Sequence, residues 1–113
     1  MFSLFSNSLP QISADDVKRS LDNKENVTVL DVRTNEEYQE GHLKGSILLP
    51  VTEVKEKVTK VLPDKDQKIY VHCRSGARSA KATSEMKRLG YTNVYNMQGG
   101  IMSWERKKFP TFT

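Results

Sequence analysis

One thiol is present in the whole chain, at Cys73, in the run VHCRSGARSA (residues 71–80). Two guanidinium groups follow it, on Arg74 and Arg78. With one cysteine in 113 residues, no intramolecular disulfide forms, and the thiol is left for other chemistry. A free cysteine is only about 3% thiolate at pH 7. Making the thiolate dominant takes about 2.7 kcal/mol of differential stabilisation. A turn from a strand into a helix aims successive backbone N–H groups inward, and the helix start adds the positive end of its dipole. The dipole supplies about 0.3–2 kcal/mol, and nearby arginines supply the remainder. Gly76 suits the bend, because a loop curling around sulfur needs positive φ. Ser75 and Ser79 add hydroxyl donors, and Ala77 completes the loop. The residues thus point to Cys73 as a nucleophile, with Arg74, Ser75, Gly76, Ala77, Arg78 and Ser79 as an anion-binding cup.

Such a cup needs a strand before it and a helix behind it. The run KIYVHC (68–73) is β-branched and apolar, and reads as a strand ending at the cysteine. From Gly76 to Leu89 small or apolar residues recur every three positions and Gly90 stops the pattern, which predicts a helix. Strands are also expected at 27–33, 46–50 and 93–97, and helices at 13–22, 52–61 and 99–107. Thr34 is expected to cap a brief helix through NEEYQE that Gly41 ends. Strands alternating with helices imply right-handed crossovers and an α/β fold with a parallel sheet. Ligands bind such sheets outside the carboxyl ends of the strands, where Cys73 falls.

The remaining composition narrows the function classes. Hydrophobic residues make up 36% and charged residues 28%, as in a soluble globular domain rather than a disordered chain. A net charge of +4 with the two signs interleaved is no nucleic-acid footprint. No apolar run is long enough to span a bilayer. The start MFSLFSNSLP lacks a basic n-region and a long apolar stretch, so a cytoplasmic protein is expected. One cysteine and two histidines lack metal-ligand spacing, and no metal or organic cofactor is expected. No internal repeat or linker divides the chain, and a monomer is expected.

Three ordered stretches carry a family resemblance. HCRSGARS resembles the active-site loop of the rhodanese (thiosulfate sulfurtransferase) family. LDVRTNEEYQEGHLKGSILLP (30–50) resembles the first signature of that family, with Asp31, Arg33, Glu37, Tyr38, Gly41, His42, Gly45 and Pro50 in place, and GGIMSW (99–104) resembles its closing signature. The resemblance covers a domain over residues 11–108, with an N-terminal extension over 1–10 and a C-terminal tail over 109–113. It implies a rhodanese-like α/β fold with a five-stranded parallel sheet and helices on both faces. Four strands are read above, so a fifth is expected as a short edge element near Pro10–Ile12.

The resemblance further implies a two-step transfer. Cys73 takes the outer sulfur of a small sulfur-containing anion such as thiosulfate as a persulfide, and a thiol or cyanide acceptor removes it. With no second cysteine, the acceptor is external, either a small thiol or a partner protein's cysteine. Relatives acting on phosphate or arsenate carry a loop one residue longer. The six residues from Cys73 to Arg78 therefore favour sulfur over phosphatase or arsenate reductase chemistry, since one residue adds about 3.5 Å of contour. A non-turnover redox sensor or binding module using the same loop is the alternative.

Asp31 and Arg33 become, by the same resemblance, a buried ionic support beneath the loop. His42 is read as a hydrogen-bonding support. His72 precedes Cys73 but faces the other side of the strand, so a structural role is expected. Trp104, Ile101, Met102 and Met86 are read as packing, and the last residues, KKFPTFT, as a frayed end.

Overall fold

The computed structural model describes residues 9–113. Residues 1–8, most of the expected N-terminal extension, lie outside the described residues. Five strands, β1 (Gln11–Ile12), β2 (Val27–Asp31), β3 (Ile47–Leu48), β4 (Lys68–His72) and β5 (Val94–Met97), alternate with five helices. The helices are α1 (Ala14–Asp22), α2 (Asn35–Glu40), α3 (Val51–Val61), α4 (Ala77–Arg88) and α5 (Gly100–Arg106). All pairings are parallel, in the order β1-β5-β4-β2-β3. The expected edge strand is present as β1, paired to β5 through Gln11–Asn96 and Ile12–Met97.

Local chemistry explains most of these elements. The Ser13 side chain accepts from the Asp16 N–H at 3.0 Å and starts α1. Thr34 and Glu37 form a full capping box on α2. The strand expected over 46–50 shortens to Ile47–Leu48. The Ser46 N–H turns back to the Leu43 carbonyl at 3.1 Å, and Pro50 has no N–H to donate.

Period-two alternation divides the sheet residues between two cores. Leu30, Ile69, Val71 and Cys73 face α3 and α4, packed with Val54, Val58, Ala82 and Met86. Val29 and Tyr70 face the other way, against Val17 of α1 and Ile101 and Trp104 of α5. Each fully buried aliphatic side chain contributes about 1.5–3 kcal/mol. β4 is the middle strand, between β5 and β2, so its carboxyl end opens at the centre of the sheet's edge.

The tail is not frayed, which corrects the expectation for residues 109–113. Phe112 and His42 exchange backbone hydrogen bonds at 2.8 and 2.9 Å. The Trp104 indole N–H donates to the Pro110 carbonyl at 2.8 Å. Phe109 meets the Trp104 ring edge-on at 5.1 Å between centroids. One aromatic contact, one indole hydrogen bond and a paired backbone hold a segment that local polarity alone would release.

Candidate active site

β4 ends at His72, and the chain turns through Cys73–Gly76 into α4. Gly76 takes φ +120 at the N-cap of α4, a conformation that side chains disfavour. This bend points donors at the sulfur. The Gly76 N–H lies 3.1 Å from Sγ, and the Ser79 N–H and hydroxyl each lie 3.4 Å away. Cys73 is 1% exposed. Burial pushes its thiol pKa up, but the Ser79 hydroxyl and the N–H groups of Ser79, Gly76 and Ser75 outweigh burial and hold it below the ordinary value. The thiol therefore ionises with help from the backbone it sits in.

The loop is gripped from behind by α5. The Ile101 N–H donates to the Cys73 carbonyl at 2.9 Å and the Met102 N–H to the Arg74 carbonyl at 3.1 Å. Gly100 makes that approach possible. A Cβ there would stand 2.3 Å from the Arg74 carbonyl oxygen and 2.6 Å from that of Cys73, at φ +59.

The other expected site residues take distinct places. Asp31 and Arg33 are both buried and form a bidentate pair at 2.9 and 2.8 Å, with the Arg33 Nη2 also donating to the Gly41 carbonyl at 2.7 Å. His42 donates to the Tyr38 carbonyl at 2.8 Å and stacks on the Tyr38 ring at 3.7 Å. His72 turns its Nδ1 to the Cys73 carbonyl at 3.1 Å, while its Nε2 lies 3.5 Å from Asp31. Burial lowers the His72 pKa against the pull of Asp31, and neither ring nitrogen reaches the sulfur. Ser75 and Ala77 are exposed, and Arg74 reaches out into a cavity of about 280 Å³ beside the loop.

Arg78, expected in the anion-binding cup, turns toward α2. It holds Glu37 of α2 in a bidentate pair at 2.7 and 2.9 Å. The Arg78 bonds keep the Glu37 pKa at about 2. Glu37 thereby serves twice, since the same carboxylate accepts from the Thr34 N–H of the capping box at 3.0 Å.

Sequence reasoning passed over Asn96 and the acidic rim. Asn96 is 4% exposed, accepts from the Ser79 hydroxyl at 2.5 Å, and donates to Gln11 at 3.2 Å. Its only local signal was a polar residue inside an apolar strand. The cavity is lined by Arg33 and Arg74 but also by Glu37, Glu40 and Glu105, so carboxylates share its wall with the two guanidinium groups. Among the described residues no group of three or more potential metal-ligating side chains comes together.

Comparison with known proteins agrees with this geometry. The model of the "Rhodanese-like domain" family matches residues 13–107. The chain is 35% identical over 100 residues to "Putative sulfur carrier protein YrkF" of Bacillus subtilis, a match spanning 88% of this chain and 53% of that protein, so the chain spans about half of that relative's length. It is 40% identical over 70 residues to "Thiosulfate sulfurtransferase PspE" of Escherichia coli, covering 62% of this chain and 67% of that one. The crystal structure of a rhodanese-related protein from Thermoplasma volcanium superposes with a TM-score of 0.81 at 36% identity, over 91% of this chain and 97% of the other.

Proposed function

Because the chain belongs to the rhodanese-like domain family, we propose that it is a sulfurtransferase in which Cys73 carries one sulfur atom from donor to acceptor. The observation that carries this reading is the only thiol of the chain, set among N–H and hydroxyl donors at 3.1–3.4 Å. In the first step the Cys73 thiolate attacks the outer sulfur of a donor such as thiosulfate. A new S–S bond forms on Sγ, the donor's own S–S bond breaks, and its electron pair leaves with sulfite. The product is a Cys73 persulfide anion, which the same donors stabilise as they stabilised the thiolate.

In the second step an external thiolate or cyanide attacks the outer sulfur of that persulfide, and the electron pair returns to Cys73 Sγ. The cycle is redox-neutral, so its stoichiometry calls for no organic cofactor or metal. The six-residue span from Cys73 to Arg78 supports sulfur rather than a bulkier tetrahedral phosphate or arsenate. The working unit is the domain over residues 11–108, acting as a monomer. A reducing, cytoplasmic setting suits it, because the thiol stays reduced there and acceptor thiols are abundant. No helix among the described residues is long and apolar enough to cross a membrane.

Intact mass after incubation with thiosulfate tests this reading. The wild type is expected to gain one sulfur atom, to lose it to cyanide or a small thiol, and to show no gain as Cys73→Ser. No gain from thiosulfate, mercaptopyruvate or a persulfide donor overturns it. Gain of oxygen under peroxide without any sulfur gain would make the loop a redox sensor instead.

A further inference from the structure

Two carboxylates at the rim of the cavity break a local rule. Glu40 is the last residue of α2, and Glu105 lies in the last turn of α5. The negative end of each helix dipole faces them there, where a lysine would serve the helix better. Both are exposed, and neither forms an ion pair among the described residues. Both nonetheless line the cavity beside the catalytic loop. A residue that opposes its own helix without a packing or pairing gain marks a functional position.

The charge balance gives that position a meaning. Arg33 is neutralised by Asp31, and Glu37 by Arg78. Arg74 is then left facing Glu40 and Glu105, one positive charge against two negative ones. The Cys73 thiolate or persulfide adds another negative charge. At the acceptor step an anionic thiol meets the rim carboxylates against the local field and a thiol carried beside positive charge meets them with it, while Arg74 and the loop N–H groups remain to receive the anionic donor.

We propose that Glu40 and Glu105 are specificity-determining residues that select a cationic sulfur acceptor, namely a cysteine flanked by lysine or arginine on a partner protein. This assignment rests on the sulfurtransferase reading above. The acceptor thiolate attacks the outer sulfur of the Cys73 persulfide, the Cys73 S–S bond breaks, and the electron pair stays on Cys73 Sγ. The acceptor leaves as a persulfide, and no electrons are gained or lost overall.

The single cysteine is its own probe. Aminoethyl and sulfonatoethyl methanethiosulfonate are similar in size and opposite in charge. Each places its alkylthio group on the Cys73 thiolate with methanesulfinate leaving, whether or not the protein transfers sulfur. The ratio of the cationic to the anionic rate is expected to fall by roughly three- to tenfold in Glu40→Gln/Glu105→Gln, for charges about one Debye length apart, and to shrink with added salt. An unchanged ratio overturns the assignment.

In the second arm, persulfide-loaded protein passes sulfur to cysteamine or to mercaptoacetate, compared at equal thiolate concentration. The cysteamine-to-mercaptoacetate rate ratio is expected to be several-fold higher in the wild type than in the double variant, a comparison in which the intrinsic nucleophilicities of the two thiolates cancel. The same ratio in both proteins overturns the acceptor class. If the reagent ratio falls as expected but Cys73 takes up no sulfur, the sulfurtransferase reading fails and the acceptor class fails with it, while the charge filter stands. If sulfur loads and the ratio is unchanged, the filter fails and the sulfurtransferase reading stands.

Discussion

Replacing Asn96 with leucine should make Cys73 more reactive, although Asn96 does not touch the sulfur. The Ser79 hydroxyl has one hydrogen and three acceptors in range: Asn96 Oδ1 at 2.5 Å, the Gly76 carbonyl at 3.2 Å, and Cys73 Sγ at 3.4 Å. The shortest contact takes the hydrogen while the thiol is neutral. Ionisation of Cys73 must draw it away from an amide oxygen that no water can replace, since Asn96 is 4% exposed. A neutral hydrogen bond contributes about 0.5–1.5 kcal/mol and one to a charged group about 1.5–3. The competition therefore withholds about 1 kcal/mol from the thiolate, which is about fivefold in its population below the thiol pKa. Leucine has nearly the shape of asparagine, and the Gln11 amide left behind is exposed to water. The assay is the rate of iodoacetamide alkylation against pH, with chemical unfolding to show that the fold is retained. Asn96→Leu is expected to raise the rate about fivefold at low pH and to move its profile to lower pH, and Ser79→Ala to do the reverse. In a Ser79→Ala background the leucine should have no effect. An unchanged or higher thiol pKa in Asn96→Leu, or a shift that persists without the hydroxyl, refutes the competition.

Two further outcomes follow from the same geometry. The Glu37 pKa of about 2 lies below its ordinary value of 4.5, so the fold favours the ionised form. The stability this adds is present above about pH 5 and lost as pH falls toward 2. With its side chain 26% exposed, the pair contributes about 1–2 kcal/mol after solvent screening. Urea unfolding should show the wild type ahead of Glu37→Gln by that amount at pH 7 and level with it near pH 2. Gly100→Ala drives a Cβ into the carbonyls of Arg74 and Cys73 and should cost more than about 2 kcal/mol while slowing alkylation of Cys73. Gly45→Ala is the control, with nothing within 4 Å of its Cβ at φ +74, and should cost only the conformational strain of about 1 kcal/mol. Equal losses at the two glycines would contradict the packing account of the loop.

Most elements of this fold were legible in the chain because they are written in neighbouring residues, whereas the two-residue edge strand β1 was expected only from the family resemblance. VTVLD and KIYVH are apolar and β-branched enough to be strands buried on both faces. Ser13 and Thr34 announce their helices by side-chain capping that needs no distant partner. The nucleophile was legible for the same reason. One thiol at the end of a strand, followed by a glycine and a helix, contains its own electrostatic environment in the backbone of the loop.

Tertiary structure alone decided what surrounds that thiol. Arg78 meets Glu37 across 41 positions of sequence, and Ser79 meets Asn96 across 17. Gly100 meets the loop carbonyls because α5 begins beside β4, and the tail closes on His42 because Trp104 offers Pro110 a donor. These contacts depend on the strand order β1-β5-β4-β2-β3 and on how each helix is rotated against the sheet. Periodicity tells which face of an element is buried, but not which polar group of another element will stand opposite it. The sequence by itself therefore determined most of the elements and the reactive atom, and only the assembled sheet decided which charges and hydrogen-bond acceptors that atom must work among.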